Sequence, residues 1–186
     1  MSLPQPDIYS NYYIMQSYGG WSPCIQGNNA YGLRPFAGSV LPNCTGFITG
    51  YFNDMLDEGY CHWFGSVNGN QLLPLGRSQG LPWGTDPVVG AVIGWDNGGA
   101  GHAAIVSEII SSTEIETYES GWNYDTGPCW HIRNRHKVGG VWEYKSGYTW
   151  QGYFVYPPGG SLLDDWQKAF PALISWRRRG SKKRWK

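Results

Sequence analysis

The clearest periodic signal in the chain is carried by Phe47, Ile48, Tyr51, Phe52, Met55 and Leu56, whose spacing places them on one face of a 3.6-residue repeat. Asn43 precedes this run as a suitable N-cap and Gly59 follows as a terminator, so the helix is expected to open at Cys44. Further along, the pattern changes to short strand-like runs: "GAVIGW" (90–95), "HAAIVSEI" (102–109), "EIETYES" (114–120), "CWHIR" (129–133) and "TWQGYFVY" (149–156). Connections rich in Gly, Asn and Asp, such as "DNGGAG", separate them. Links this short favour an antiparallel meander over strands joined by helical crossovers. A helix followed by such a sheet predicts an α+β fold with the helix packed on an antiparallel β-sheet. Residues 60–87 read as turns, residues 1–40 as an extended arm with one short helix over 9–16, and "SLLDDWQKAFPALISW" as a short amphipathic helix interrupted by Pro171. No internal repeat is visible, and the expected division is one domain over 1–160 followed by a terminal segment over 161–186.

Composition narrows the class. A chain of 186 residues suits one compact domain. With 41% hydrophobic and 15% charged residues, and with 11 Trp, 13 Tyr and 27 Gly, it is neither a disordered chain nor a coiled coil. Aromatic rings at this density fill a core, and they also suit a protein that handles carbohydrate or extended peptide. The formal net charge of zero hides an asymmetry. Seven of the 14 Lys and Arg fall between Arg177 and Lys186, leaving 7 against 14 acids, about −7, for the rest of the chain. The basic block is either a solvated terminus or an adhesive for an anionic polymer such as wall teichoic acid, phospholipid or nucleic acid.

The chain has no run of 18 apolar residues, so no transmembrane segment is expected. The opening "MSLPQPDIYSNYY" lacks a basic n-region and does not read as a signal peptide. Synthesis in a cytoplasm is therefore expected, with Cys24, Cys44, Cys61 and Cys129 as free thiols. Cys61 and His62 are adjacent, but the second close pair that a structural zinc site needs is missing, so neither a metal nor another cofactor is expected.

Position then singles out a nucleophile. The first turn of a helix presents unpaired N–H groups and the positive end of the dipole, an environment that favours thiolate over thiol, and Cys44 stands there. The same periodicity also fits an inert core cysteine. A nucleophilic thiolate needs a base, and the base needs an orienting group. Among His62, His102, His131 and His136, the second stands out because it opens the most regular strand directly after a glycine-rich loop. His62 follows the helix too closely to reach back, His131 lies inside a strand, and His136 sits in the charged run "RNRHK". A hairpin centred near residue 110 would return Glu119 opposite His102, with Asn123 as the alternative orienting residue.

These residues carry a resemblance. "LPNCTGF", "DPVVGAVIGW…GHAAIVSEI", "YESGWN" and "SGYTWQGYFVYPP" resemble the cysteine, histidine-dependent amidohydrolase/peptidase (CHAP) domain, especially the versions in phage lysins and tail-associated wall hydrolases. The resemblance runs from about Ser22 to Pro158. It implies a papain-like α+β fold with Cys44 as nucleophile, His102 as base and Glu119 as the residue orienting the imidazole. It further implies cleavage of an amide bond in bacterial peptidoglycan, by an N-acetylmuramoyl-L-alanine amidase or an endopeptidase. The expected setting is a phage lysin that is made in the host cytoplasm and reaches the wall through a holin, or one carried in a virion beside tail proteins. The family often has an Asn shortly after the acid; here the residue two beyond Glu119 is Gly121, and the nearest Asn is Asn123. Some relatives bind calcium in an Asp-rich loop before the cysteine; "SPCIQGNNAYG" has no carboxylate there. By analogy with papain-like enzymes, Gln26 is a candidate oxyanion donor beside the backbone N–H of Cys44, and Asn43 a candidate substrate contact. The competing reading is a non-catalytic wall-binding or virion structural protein on the same fold.

Overall fold

A computed structural model describes residues 2–6, 44–56, 67–120 and 130–156. It contains helices α1 (Cys44–Leu56) and α2 (Gly69–Ser78). The strands are β1 (Trp83–Gly84), β2 (Val92–Asp96), β3 (His102–Ser111), β4 (Glu114–Ser120), β5 (Trp130–Val138), β6 (Val141–Trp142) and β7 (Thr149–Phe154). All pairings are antiparallel and the spatial order is β1-β7-β2-β3-β4-β5-β6. The consecutive run from β2 to β6 is the expected meander, and β7 returns to pair with β2. The fold is α+β, with α1 on the N-terminal side of a curled antiparallel sheet, as in papain-like proteins.

The apolar stripe of α1 does what its spacing predicts. Phe47, Ile48, Tyr51 and Phe52 are all buried, and α1 lies against β3 and β4. Tyr51 meets Tyr118 of β4 edge-on at 5.9 Å. Each large apolar side chain removed from water in this way contributes roughly 1.5–3 kcal/mol, so the stripe fixes where the helix start lies. The described part of the N-terminal arm ties the same elements together. The Leu3 N–H donates to the Ser107 carbonyl, and the hydroxyls of Tyr118 and Tyr51 donate to the carbonyls of Leu3 and Pro4.

Three expectations are corrected. Residues 60–87 are not all turns, since α2 and β1 fall within them. Two glycines and Pro74 disguise α2. Pro74 has no N–H to offer the carbonyl of Asn70 one turn back, and the Gln151 side chain of β7 donates to that carbonyl instead, at 2.9 Å. The Gln71 side chain accepts the Asn68 N–H at the helix start. The second correction is the β3–β4 register. Ile105 pairs with Tyr118 and Val106 with Thr117, which, extended, sets Glu119 beside Ala104 and not opposite His102. Irregularities between Val106 and Glu108 and between Ile109 and Ser111 move the turn to residues 111–114, which is why a hairpin centred on residue 110 misplaces the partners by two residues. In addition, β5 runs on to Val138, well past the expected end at 133, and carries His136 on its exposed part.

Candidate active site

Three of the sequence-derived site residues converge. Cys44, partly exposed and not in a disulfide, opens α1. Its side chain hydrogen-bonds to His102, whose Nε2 lies 3.1 Å from Oε2 of Glu119. The two-residue shift in register does not separate His102 from Glu119. Residues displaced by two along a strand share a face, and a diagonal pair across an antiparallel ladder stays within reach of long side chains. Gln26, Asn43 and Asn123 lie outside the described residues, as do His62, the segment over 161–176 and the basic block from Arg177 to Lys186.

The start of β3 is held from two sides. His102 pairs with Trp95 of β2. In the preceding loop, Asn97 Oδ1 accepts the N–H groups of Gly99 and Gly101, and Asp96 Oδ1 accepts those of Gly98 and the Asn70 side chain. Gly101 has φ +64°, and a Cβ there would stand 2.5 Å from the Trp95 carbonyl oxygen. A Cβ on Gly69, at the start of α2, would stand 2.9 Å from the His102 backbone. The glycines of the loop and of α2 thus let the backbone of the histidine be clamped closely.

Glu119 is completely buried, and a buried carboxylate is tolerated only when paired and fully hydrogen-bonded. Here each oxygen has two donors. Oε1 accepts from the Thr117 hydroxyl at 2.6 Å and from Arg135 Nε at 2.7 Å; Oε2 accepts from Arg135 Nη2 at 2.5 Å and faces His102 Nε2. Four donors fill the roughly four lone-pair sites of a carboxylate. Burial works against the Glu119 anion, but the bonds from His102 and Arg135 outweigh it and hold the carboxyl well below the ordinary range, at about 2. An ionised carboxylate only accepts, so the nitrogen facing it, Nε2, must carry the proton. Nδ1 is then the nitrogen left for Cys44. Burial also opposes the imidazolium of His102, while the hydrogen bonds to Cys44 and Glu119 and their charges outweigh it and raise its pKa to about 9.

Aromatic rings enclose the imidazole. Tyr144 stacks on it at 4.5 Å and Trp95 lies parallel beyond at 6.1 Å. Tyr148 meets Tyr144 edge-on, and Trp150 packs against Trp95. Sequence reasoning did not find Arg135, Thr117, Trp95 or Tyr144. The signal for Arg135 was present in "HIRNRHK", where 131, 133 and 135 alternate along one strand face, but it becomes readable only once the strand is carried past residue 133.

A helix-start thiol bonded to an imidazole that is backed by a buried carboxylate is the arrangement of a cysteine-dependent acyl-transfer site. Residues 35–121 match the family model of the CHAP domain. The matched segment contains Cys44, His102 and Glu119 and ends before Arg135. CHAP domains form an amidase/peptidase-type family of peptidoglycan hydrolases, generally cysteine-dependent. No helix of the described residues is long and apolar enough to cross a membrane.

The shifts define a stability profile. The folded-state pKa of His102 is raised from 6.5 to about 9, so its contribution is complete below about pH 6.5 and is lost as pH rises towards 9. That of Glu119 is lowered from 4.5 to about 2, so its contribution is complete above about pH 4.5 and is lost as pH falls towards 2. Thermal melts across pH 3–10 are therefore expected to give a plateau between about 4.5 and 6.5, with His102→Gln flattening the alkaline decline. An alkaline decline of equal size in wild type and His102→Gln would remove His102 as its source.

Proposed function

We propose that this protein is a peptidoglycan hydrolase in which Cys44 is the nucleophile, His102 the acid–base group and Glu119 the residue orienting His102. The observation that carries the reading is the chain of contacts from the Cys44 thiol through His102 to the buried Glu119 carboxylate. The CHAP match over the same residues supports a wall-peptide substrate.

In the attacking form the proton shared by Cys44 and His102 passes to Nδ1, and sulfur acts as the nucleophile. Sulfur attacks the amide carbonyl carbon, and the C=O electron pair moves to oxygen. The backbone N–H of Cys44 and the side chain of Gln26 are the proposed donors to that oxyanion, each of a kind worth roughly 3–4 kcal/mol. Collapse of the intermediate breaks the C–N bond as Nδ1–H protonates the departing amine. Water then attacks the thioester, with Nδ1 taking its proton, and the C–S bond breaks to release a carboxylate-bearing fragment and the thiolate. Glu119 takes no proton at any step, because all its acceptor sites are occupied.

The finer reading is a phage lysin, free or virion-borne beside tail proteins, that cuts either the N-acetylmuramoyl-L-alanine bond or a bond within the peptide. The sequence blocks around Cys44, His102 and Glu119 support it through their likeness to the phage versions of the domain. The cationic block from Arg177 to Lys186 supports adhesion to anionic wall polymer, and access to the wall would be through a holin or from the virion. Mass analysis of digested wall tests the bond. A freed L-alanine amine on peptides lacking muramic acid identifies the amidase, and new ends inside the stem or cross-bridge identify the endopeptidase. Walls that release no new amine would defeat the hydrolase reading.

A further inference from the structure

Arg135 is bound to the site more tightly than a surface cation would be. It comes from β5, two strands away from His102, and spans the face of β4 to place Nε and Nη2 on the two oxygens of Glu119. Its side chain is only 13% exposed. Its guanidinium lies 4.5 Å from the centre of the Tyr144 ring, the same ring that stacks on His102, and 5.7 Å from that of Trp95. Nη1 reaches the Tyr144 carbonyl at 3.3 Å. One side chain therefore fixes both the carboxylate at the edge of the imidazole and the aromatic ring on its face.

We propose that Arg135 is the fourth member of this site, a positioning residue that acts through Glu119 and Tyr144 to hold His102 with Nε2–H directed at the carboxylate and Nδ1 at the thiol. The inference rests on the proposed Cys44–His102 pairing. Two observations make it specific. Without Arg135 the carboxylate would be held by single contacts, the Thr117 hydroxyl on Oε1 and His102 on Oε2, whereas a two-pronged guanidinium fixes the carboxylate plane. The charges also favour it: the Glu119 carboxylate is completely buried, and the guanidinium brings a full positive charge to both of its oxygens. The other basic groups on the same strand are placed differently. His131 lies across the ladder from Glu119 and Arg133 from Thr117, whereas Arg135 reaches both oxygens of the Glu119 carboxylate.

The test reads the imidazole and the sulfur directly, so it does not depend on wall cleavage. In folded wild type at pH 6, proton NMR is expected to show a downfield, slowly exchanging His102 Nε2 proton. Iodoacetamide at pH 7 should alkylate Cys44 rapidly, followed by mass analysis of its peptide. Arg135→Met should lose that resonance and slow alkylation by up to about 100-fold, the scale on which a reacting group misplaced by ~1 Å acts. Arg135→Lys, which keeps the charge but not the two-pronged contact, should recover only part of the resonance and of the rate. Should Arg135→Met not fold, Arg135→Gln replaces it under the same two readouts. A folded neutral variant that keeps both the resonance and the wild-type rate overturns the proposal. So does an Arg135→Lys protein that matches wild type in both readouts, since it would show that the two-pronged contact is not needed. Wild type that passes both readouts but never clears walls would refute the hydrolase reading and leave the role of Arg135 standing.

Discussion

Cys44→Ala is expected to clear purified Gram-positive cell walls roughly 10⁵–10⁶-fold more slowly than wild type, the scale seen when a covalent nucleophile is removed. The loss should be chemical, not structural. Cys44 is partly exposed at the start of α1, and alanine suits a helix, so the variant should remain folded at pH 6 and lose only the part of the His102 contribution that the Cys44 contact supplies. One stability effect is nevertheless specific. The Cys44 hydrogen bond and charge help keep His102 protonated, so the alkaline decline of the variant should begin at lower pH. Turbidity assays at matched protein concentration, run beside wall pull-down, check the result. Undiminished clearing by Cys44→Ala would remove the sulfur from the chemistry. No clearing by either protein, with pull-down intact, would favour the non-catalytic wall-binding or virion role.

The parts of this site that could be read from the sequence are those encoded locally. The start of α1 is marked by a 3.6-residue apolar stripe, and its described side chains, Phe47, Ile48, Tyr51 and Phe52, are buried as the period requires. The strands of the meander are marked by alternation and glycine-rich turns, which place His102 at a strand start. Glu119 was selected through a register that was wrong by two residues, and the selection survived because a two-residue slip keeps a side chain on the same face. A one-residue slip would have chosen Tyr118 or Ser120. What could not be read is what depends on neighbours brought together only by the sheet. The role of Gln151 in satisfying the carbonyl freed by Pro74 links residues 81 positions apart, so the sequence of α2 looked like a broken turn region. Arg135 sits in a run rich in charge that resembles a solvated edge until β5 is laid beside β4.

The second large effect is expected at Glu119, where structure and chemistry can be separated. Glu119→Gln is close in shape, but its amide places N–H groups where two acceptor sites were, against either Arg135 or the His102 edge. Arg135 is left mostly buried without its counter-ion, a loss of about 3–5 kcal/mol and, for a domain of this size, roughly 6–20 °C in melting temperature. Activity should fall on the order of 10³–10⁴-fold, because the imidazole no longer has its tautomer fixed. The double variant Glu119→Leu with Arg135→Met removes both charges together. Since apolar groups of similar volume can replace a buried ion pair at little cost, it should recover much of the lost stability and none of the activity. Calorimetric melting and wall clearing, measured on the same preparations, decide the matter. Recovery of clearing along with stability would mean that the carboxylate serves packing alone, and that His102 needs no anion behind it to act on Cys44.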